Sequence, residues 1–154
     1  MRCVACRSIT RLNVSHNGLC AAEADLLARS VSDHPIMTEL NVSGNSLSHV
    51  HTHEHSPIEF AGVRALGKAL STMGALHKFV FGSVDIYDPW CSHDPPVVIE
   101  APTTLVNAKF HGCLDASDAV LLAGVLSRCR YSQLIACGCA TWLCYVAASF
   151  LSAC

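Results

Sequence analysis

Ile9-Thr-Arg-Leu12-Asn-Val14-Ser-His-Asn17-Gly-Leu19 returns as Met37-Thr-Glu-Leu40-Asn-Val42-Ser-Gly-Asn45-Ser-Leu47, 28 residues further along the chain. Self-similarity at a period of this size marks a stacked architecture in which each unit buries its apolar face against the next. A short extended stretch sends alternate side chains to opposite sides, so Leu12 and Val14 point to the core while Arg11, Asn13 and Ser15 point outward. Ile9 and Leu19 clamp the two ends of the turn. Asn17 is a turn residue, of a type that bonds its side chain to nearby backbone.

The segment after each phrase supports a strand-plus-helix unit. Ala24, Leu27, Ala28 and Val31 stand at i, i+3, i+4, i+7; so do Val63, Leu66, Gly67 and Leu70, and again Ala119, Leu122, Ala123 and Leu126. Each set predicts one apolar helix stripe. The third slot is small every time (Ala28, Gly67, Ala123), as close approach of helix to sheet requires. The step from the last stripe residue to the next strand phrase is six residues in both cases where it can be counted, Val31 to Met37 and Leu70 to Leu76.

The two Leu-Asn-Val-Ser phrases fit the pattern L-x-x-L-x-L-x-x-N-x-L, and on them the chain resembles the ribonuclease-inhibitor-like class of leucine-rich repeats. The resemblance covers residues 9–86 well and 103–130 more loosely. It implies an α/β solenoid, a short horseshoe arc with a parallel inner sheet and outer helices. It implies Asn side chains bonded to loop backbone. It also implies a non-catalytic protein that binds other proteins on its concave strand face.

Later units depart from the pattern. Leu76, Phe79, Phe81, Val84 and Ile86 keep the apolar slots, but Val84 stands where Asn belongs. No stripe comes after it, because Asp88-Pro-Trp-Cys-Ser-His-Asp-Pro-Pro96 is a turn-rich loop. Val97-Val-Ile99 reads as a short strand, so a hairpin-like excursion over 87–102 is expected in place of a helix. Leu105-Val-Asn-Ala108-Lys-Phe110-His-Gly-Cys113 reads as a fourth unit with Cys in the Asn slot. Leu134-Ile-Ala-Cys137, followed by Leu143, Val146, Ala147 and Phe150, reads as a fifth. The expected organisation is an N-terminal extension over 1–8, repeats over 9–130, and a terminal degenerate repeat or apolar tail over 131–154.

Composition agrees with a packed body: 51% of residues are apolar and 14% charged, against a usual charged share of roughly 25%. The net charge of −2 offers no basic field, so no nucleic-acid partner is expected. No phosphate-binding glycine loop, H-E-x-x-H helix or G-x-S-x-G elbow occurs. No nucleophile, base and orienting group can be assigned from spacing, so an enzyme is the least favoured reading and no cofactor is expected. Ten cysteines are many. Yet Met1-Arg-Cys-Val-Ala-Cys-Arg7 lacks the apolar stretch of a signal peptide, which points to reduced, buried cysteines in a cytoplasmic protein. Cys3-x-x-Cys6 has no obvious second pair at zinc-site spacing. Asn13-Val-Ser15 and Asn41-Val-Ser43 match glycosylation sequons but fall inside the repeat phrase.

Histidines alternate over His49-Val-His51-Thr-His53-Glu-His55. In an extended segment their Cα atoms lie about 6.6 Å apart on one side, where neighbouring pairs can share Zn²⁺, Ni²⁺ or Cu²⁺. The same residues read as a solvated insertion over 48–57, since Leu40 and Phe79 are 39 residues apart, 11 more than the first period. Protonating all nine histidines would carry the net charge from −2 to +7, with four of the changes in this loop.

No charged side chain occurs after Arg130. Residues 134–154 approach the roughly 20 apolar residues that cross a bilayer, with Arg128 and Arg130 at the near end, so a tail anchor competes with a terminal repeat. Gly138, Thr141, Ser149 and Ser152 dilute the run, and the strand-plus-helix register favours the repeat. A terminal unit needs a polar outer face, which Trp142, Tyr145 and Ala148 do not supply. Both ends therefore read as units of a longer array with flanking repeats, or as a chain that leans on a partner.

The expected partner-binding surface lies on outward strand positions. One column reads Arg11, Glu39, Lys78, Asn107; the next Asn13, Asn41, Val80, Lys109; a third Ser15, Ser43, Gly82, His111. The first alternates in charge and reads equally as a cross-strand ladder that stabilises the sheet.

Overall fold

Two strands, β1 (Arg11–Asn13) and β2 (Glu39–Asn41), pair in parallel with Arg11 opposite Glu39, Leu12 opposite Leu40 and Asn13 opposite Asn41. The 28-residue phrase therefore lies on itself residue for residue. The pairing runs beyond the strands: Glu39 N–H donates to Thr10 O at 3.1 Å, Val14 N–H to Asn41 O at 2.9 Å and His16 N–H to Ser43 O at 3.0 Å. β3 (Lys78–Phe81) continues the sheet in parallel, with Leu40 opposite Phe79. The longer second spacing is thus taken up between the strands and does not shift their register. The structure, a computed structural model, describes residues 7–48, 60–82, 96–100, 108–110, 116–126 and 134–136.

Three helices are described: α1 (Ala21–Val31), α2 (Ala61–Thr72) and α3 (Ala116–Leu126). Glu23 accepts the Cys20 N–H at 3.0 Å and so satisfies one of the free amides at the start of α1. Asp33, with φ 55°, turns the chain after the helix ends. The expected stripes of α1 and α2 face the core: Ala24, Ala28, Val31, Val63, Leu66 and Leu70 are buried, Gly67 with them, and Leu27 half-buried. They meet Leu40, Val42, Phe79 and Phe81 from the sheet. Phe79 and Phe81, two apart on one strand and so on one side of it, stack with ring centroids 5.1 Å apart.

Two expectations about the helices change. In α3 the buried positions are Ser117, Asp118, Leu121, Leu122 and Val125, while Ala119 and Ala123 are only half-buried. Ala-Val-Leu-Leu-Ala-Gly-Val-Leu is apolar on every side, so periodicity could not choose its buried face. The small residues also serve helix–helix contact. A Cβ on Gly62 would meet the Ala21 carbonyl of α1, and one on Gly124 would meet the backbone of Gly67. α2 therefore packs closely against α1 on one side and α3 on the other.

The sheet is mixed and not all parallel. β4 (Val97–Glu100) runs antiparallel to β3, with Phe79 opposite Ile99 and Phe81 opposite Val97, giving the order β1-β2-β3-β4. This is the strand expected within the proline-rich excursion. Running antiparallel, it takes the edge of β3 ahead of Asn107 in the chain. β5 (Ala108–Phe110) consequently does not extend this sheet; it pairs in parallel with β6 (Leu134–Ala136) in a separate two-stranded sheet. The backbone pairing expected between Leu134–Cys137 and Ala108–Phe110 is present over Leu134–Ala136, and the helix expected after it lies outside the described residues. The architecture is thus mixed α/β, with an open four-stranded sheet covered by helices.

Candidate functional site

Each Asn-Val-Ser triplet closes its strand with the same turn. Asn13 Oδ1 accepts from the Ser15 N–H at 3.0 Å and the Ser15 hydroxyl at 2.7 Å. Asn41 Oδ1 does the same for Ser43, at 3.0 and 2.8 Å. A short Asn side chain holding the backbone two residues on is the usual Asx turn. The backbone then passes through left-handed conformations, at His16 (φ 54°) after the first triplet and Gly44 (φ 68°) after the second. A Cβ on Gly44 would meet the exposed His16 ring, which would have to swing aside, and the left-handed φ favours glycine there.

Asn45 ties the two turns together. It is 2% exposed. Its Oδ1 accepts from Asn17 N–H at 3.0 Å and Leu19 N–H at 3.1 Å, and its Nδ2 donates to Val14 O at 2.9 Å and Val42 O at 2.8 Å. Two amides and one carbonyl of the first turn are thus satisfied by a side chain of the second. With these turns pinned, the sheet face away from the helices is held in register.

On that face Arg11, Glu39, Lys78 and Glu100 stand in one row across four strands. Arg11 Nε lies 3.3 Å from Glu39 Oε1, and Lys78 Nζ lies 3.4 Å from Glu100 Oε1. Arg11 and Glu100 are well exposed and Glu39 and Lys78 partly so, and solvent screens both pairs. The row nevertheless cancels its own charge. Beside it lie Asn13, Asn41 and Val80. Together with Leu12 and Leu40, the residues on β1, β2 and β3 line an open depression of about 350 Å³.

Arg11, Asn13, Glu39, Asn41 and Lys78 therefore share one surface, as expected from the sequence. Ser15 and Ser43 do not join it. Their hydroxyls turn back onto Asn13 and Asn41, and Ser43 is buried, because turn closure takes the serine out of the strand's alternation. Asn107 lies outside the described residues. Glu100 occupies the place beside Lys78 that the first column gave to Asn107. Lys109 is on β5, which pairs with β6 and not with β3, so it is not the neighbour of Val80. Val98 is, on the antiparallel strand, and it is 48% exposed.

Sequence reasoning missed Glu100, whose register depends on the return path of β4. The alternation Val97-Val98-Ile99-Glu100 was its only signal, and it gives a strand but no partner. The closing role of Asn13 and Asn41 was legible in the repeated Asn-x-Ser spacing.

His49, His51, His53 and His55 lie outside the described residues, as do Cys3 and Cys6. Among the described residues no group of three His, Cys, Asp or Glu side chains is placed to hold a metal ion. Cys20 is a free, buried thiol. No helix among the described residues is long and apolar enough to cross a membrane. No family model, curated protein or solved structure matches the chain.

Proposed function

We propose that the chain is a leucine-rich-repeat solenoid and a non-catalytic scaffold, which binds a protein partner on its strand face. The observation that carries this reading is the depression across β1, β2 and β3, lined by Arg11, Asn13, Glu39, Asn41 and Lys78. The solenoid part is supported by the residue-for-residue stacking of β1 on β2 and by the Asn45 bonds across that interface. The surface offers cations, carboxylates and amides on rigid strands. Charge pairs already matched within the row favour a partner that brings its own donors and acceptors over a highly charged polymer.

The test uses a photo-cross-linking residue at Asn41 in the full chain, expressed in its own cells. One protein should be captured from Asn41, and its capture should disappear in the Arg11→Ala, Glu39→Ala, Lys78→Ala triple variant. Capture should persist in an Arg64→Ala, Lys68→Ala variant of the exposed side of α2. Equal capture by the strand-face and helix-face variants, with both still folded, would sink the reading.

A further inference from the structure

The β1 end of the sheet is built like an interface that has been left open. Ile9, Leu12, Val14 and Leu19 are only partly buried, whereas their counterparts 28 residues on, Met37, Leu40, Val42 and Leu47, are no more than 4% exposed. On α1, Leu27 is half-buried while Leu66 of α2 is fully buried, and Leu26 is 60% exposed. The difference has one source: the second strand–helix unit is covered by the first, and the first has no such cover among the described residues.

The polar groups repeat the asymmetry. Thr10 O and Val14 N–H bond toward β2, so by the alternation of a parallel ladder the amides of Arg11 and Asn13 face the open side. Asn45 Oδ1 takes two amides from the preceding turn. Asn17 holds the equivalent position, yet among the described residues its side chain only donates Nδ2–H to Ser15 O at 3.0 Å. Its oxygen is free for the same task. Charge points the same way. The row alternates Glu100, Lys78, Glu39, Arg11, and Arg11 ends it with its side chain 75% exposed.

We propose that this end face is a docking surface for one further strand–turn–helix unit of the same kind. The unit lays a parallel strand against β1, with an aliphatic side chain beside Leu12 and a carboxylate beside Arg11. Two turn amides of that unit bond to Asn17 Oδ1, as the amides of Asn17 and Leu19 bond to Asn45. A second copy of this chain placed edge to edge would pair β1 with β1 antiparallel. It would set Asn13 beside Arg11 and bring no turn amides to Asn17, so it matches the face less well. The proposal rests on the β1–β2 interface and stands whether or not the strand face binds a protein.

The test duplicates residues 9–36 in register ahead of Ile9 in the full chain, with Glu in place of Arg11 in the added copy so that a carboxylate stands beside the native Arg11. The new junction joins Ile36 to Ile9, in place of Ile36 to Met37. The duplicated chain should melt in one transition, several degrees above the native chain. Amide exchange at Arg11 and Asn13 should slow by about tenfold or more. Asn17→Ala, nearly silent in the native chain, should lower the melting midpoint of the duplicated chain as much as Asn45→Ala does. The gain should vanish when the leucine equivalent to Leu12 in the added copy is replaced by Asp. An unchanged midpoint with a protease-sensitive added segment overturns the proposal. Loss of the native transition overturns it too, because a compatible unit adds to the stack without disturbing it. A native chain that light scattering shows to be a dimer, and that Leu12→Arg returns to a monomer, assigns the face to a second copy and overturns it as well.

Discussion

Asn45 reaches back 28 residues to Asn17 and accepts its backbone N–H at 3.0 Å. The two asparagines occupy the same place in the repeated phrase and do different work. Asn45 is buried and serves the backbone of two turns; Asn17 is exposed and serves its own. Position in the stack, and not residue type, decides how much each contributes.

Asn45→Ala should therefore destabilise the protein by about 2 to 4 kcal/mol, because two amides and two carbonyls lose a buried side-chain partner. Asn17→Ala should stay within about 0.5 kcal/mol, as exposed substitutions usually do. Urea denaturation of both variants checks this. Equal costs would mean that the two turns are not coupled through Asn45.

Leu40 is 1% exposed between the sheet and the helices. Leu40→Asp buries a charge with no partner and should cost about 4 kcal/mol or more, enough to unfold a domain of ordinary stability. A soluble variant with an unchanged melting midpoint would remove Leu40 from the core and break the register of the two phrases.

Gly124 lies against the backbone of Gly67, so Gly124→Val should push α3 away from α2 at a cost of about 2 to 3 kcal/mol. Gly74 has nothing near its Cβ position, and Gly74→Ala should stay within about 0.5 kcal/mol. Thermal melts of the pair separate a packing constraint from a general effect of glycine replacement.

The Arg11–Glu39 pair is largely exposed. A double-mutant cycle with Ala at both positions should give a coupling of about 0.5 kcal/mol or less, weakening further in high salt. A coupling above about 2 kcal/mol would make the row a structural device and weaken its reading as a partner surface.

The local elements of the first two units, and their mutual register, were legible in the chain alone. Leu12 over Leu40, and Ala24, Ala28 and Val31 on the buried side of α1, come from a 28-residue period and a 3.6-residue stripe, which are local properties of the residue order. The surface row Arg11, Glu39, Lys78 comes from the same period once Phe79 is aligned with Leu40. Three-dimensional packing set the rest. Glu100 completes the row because β4 returns antiparallel to the edge of β3, and an edge is won by whichever strand reaches it, which periodicity does not encode. The buried face of α3 was chosen by its fit to α2 through Gly67 and Gly124, since a helix apolar all round carries no preference of its own. The unequal roles of Asn17 and Asn45 were settled last, by which of two identical residues has a neighbour to hold.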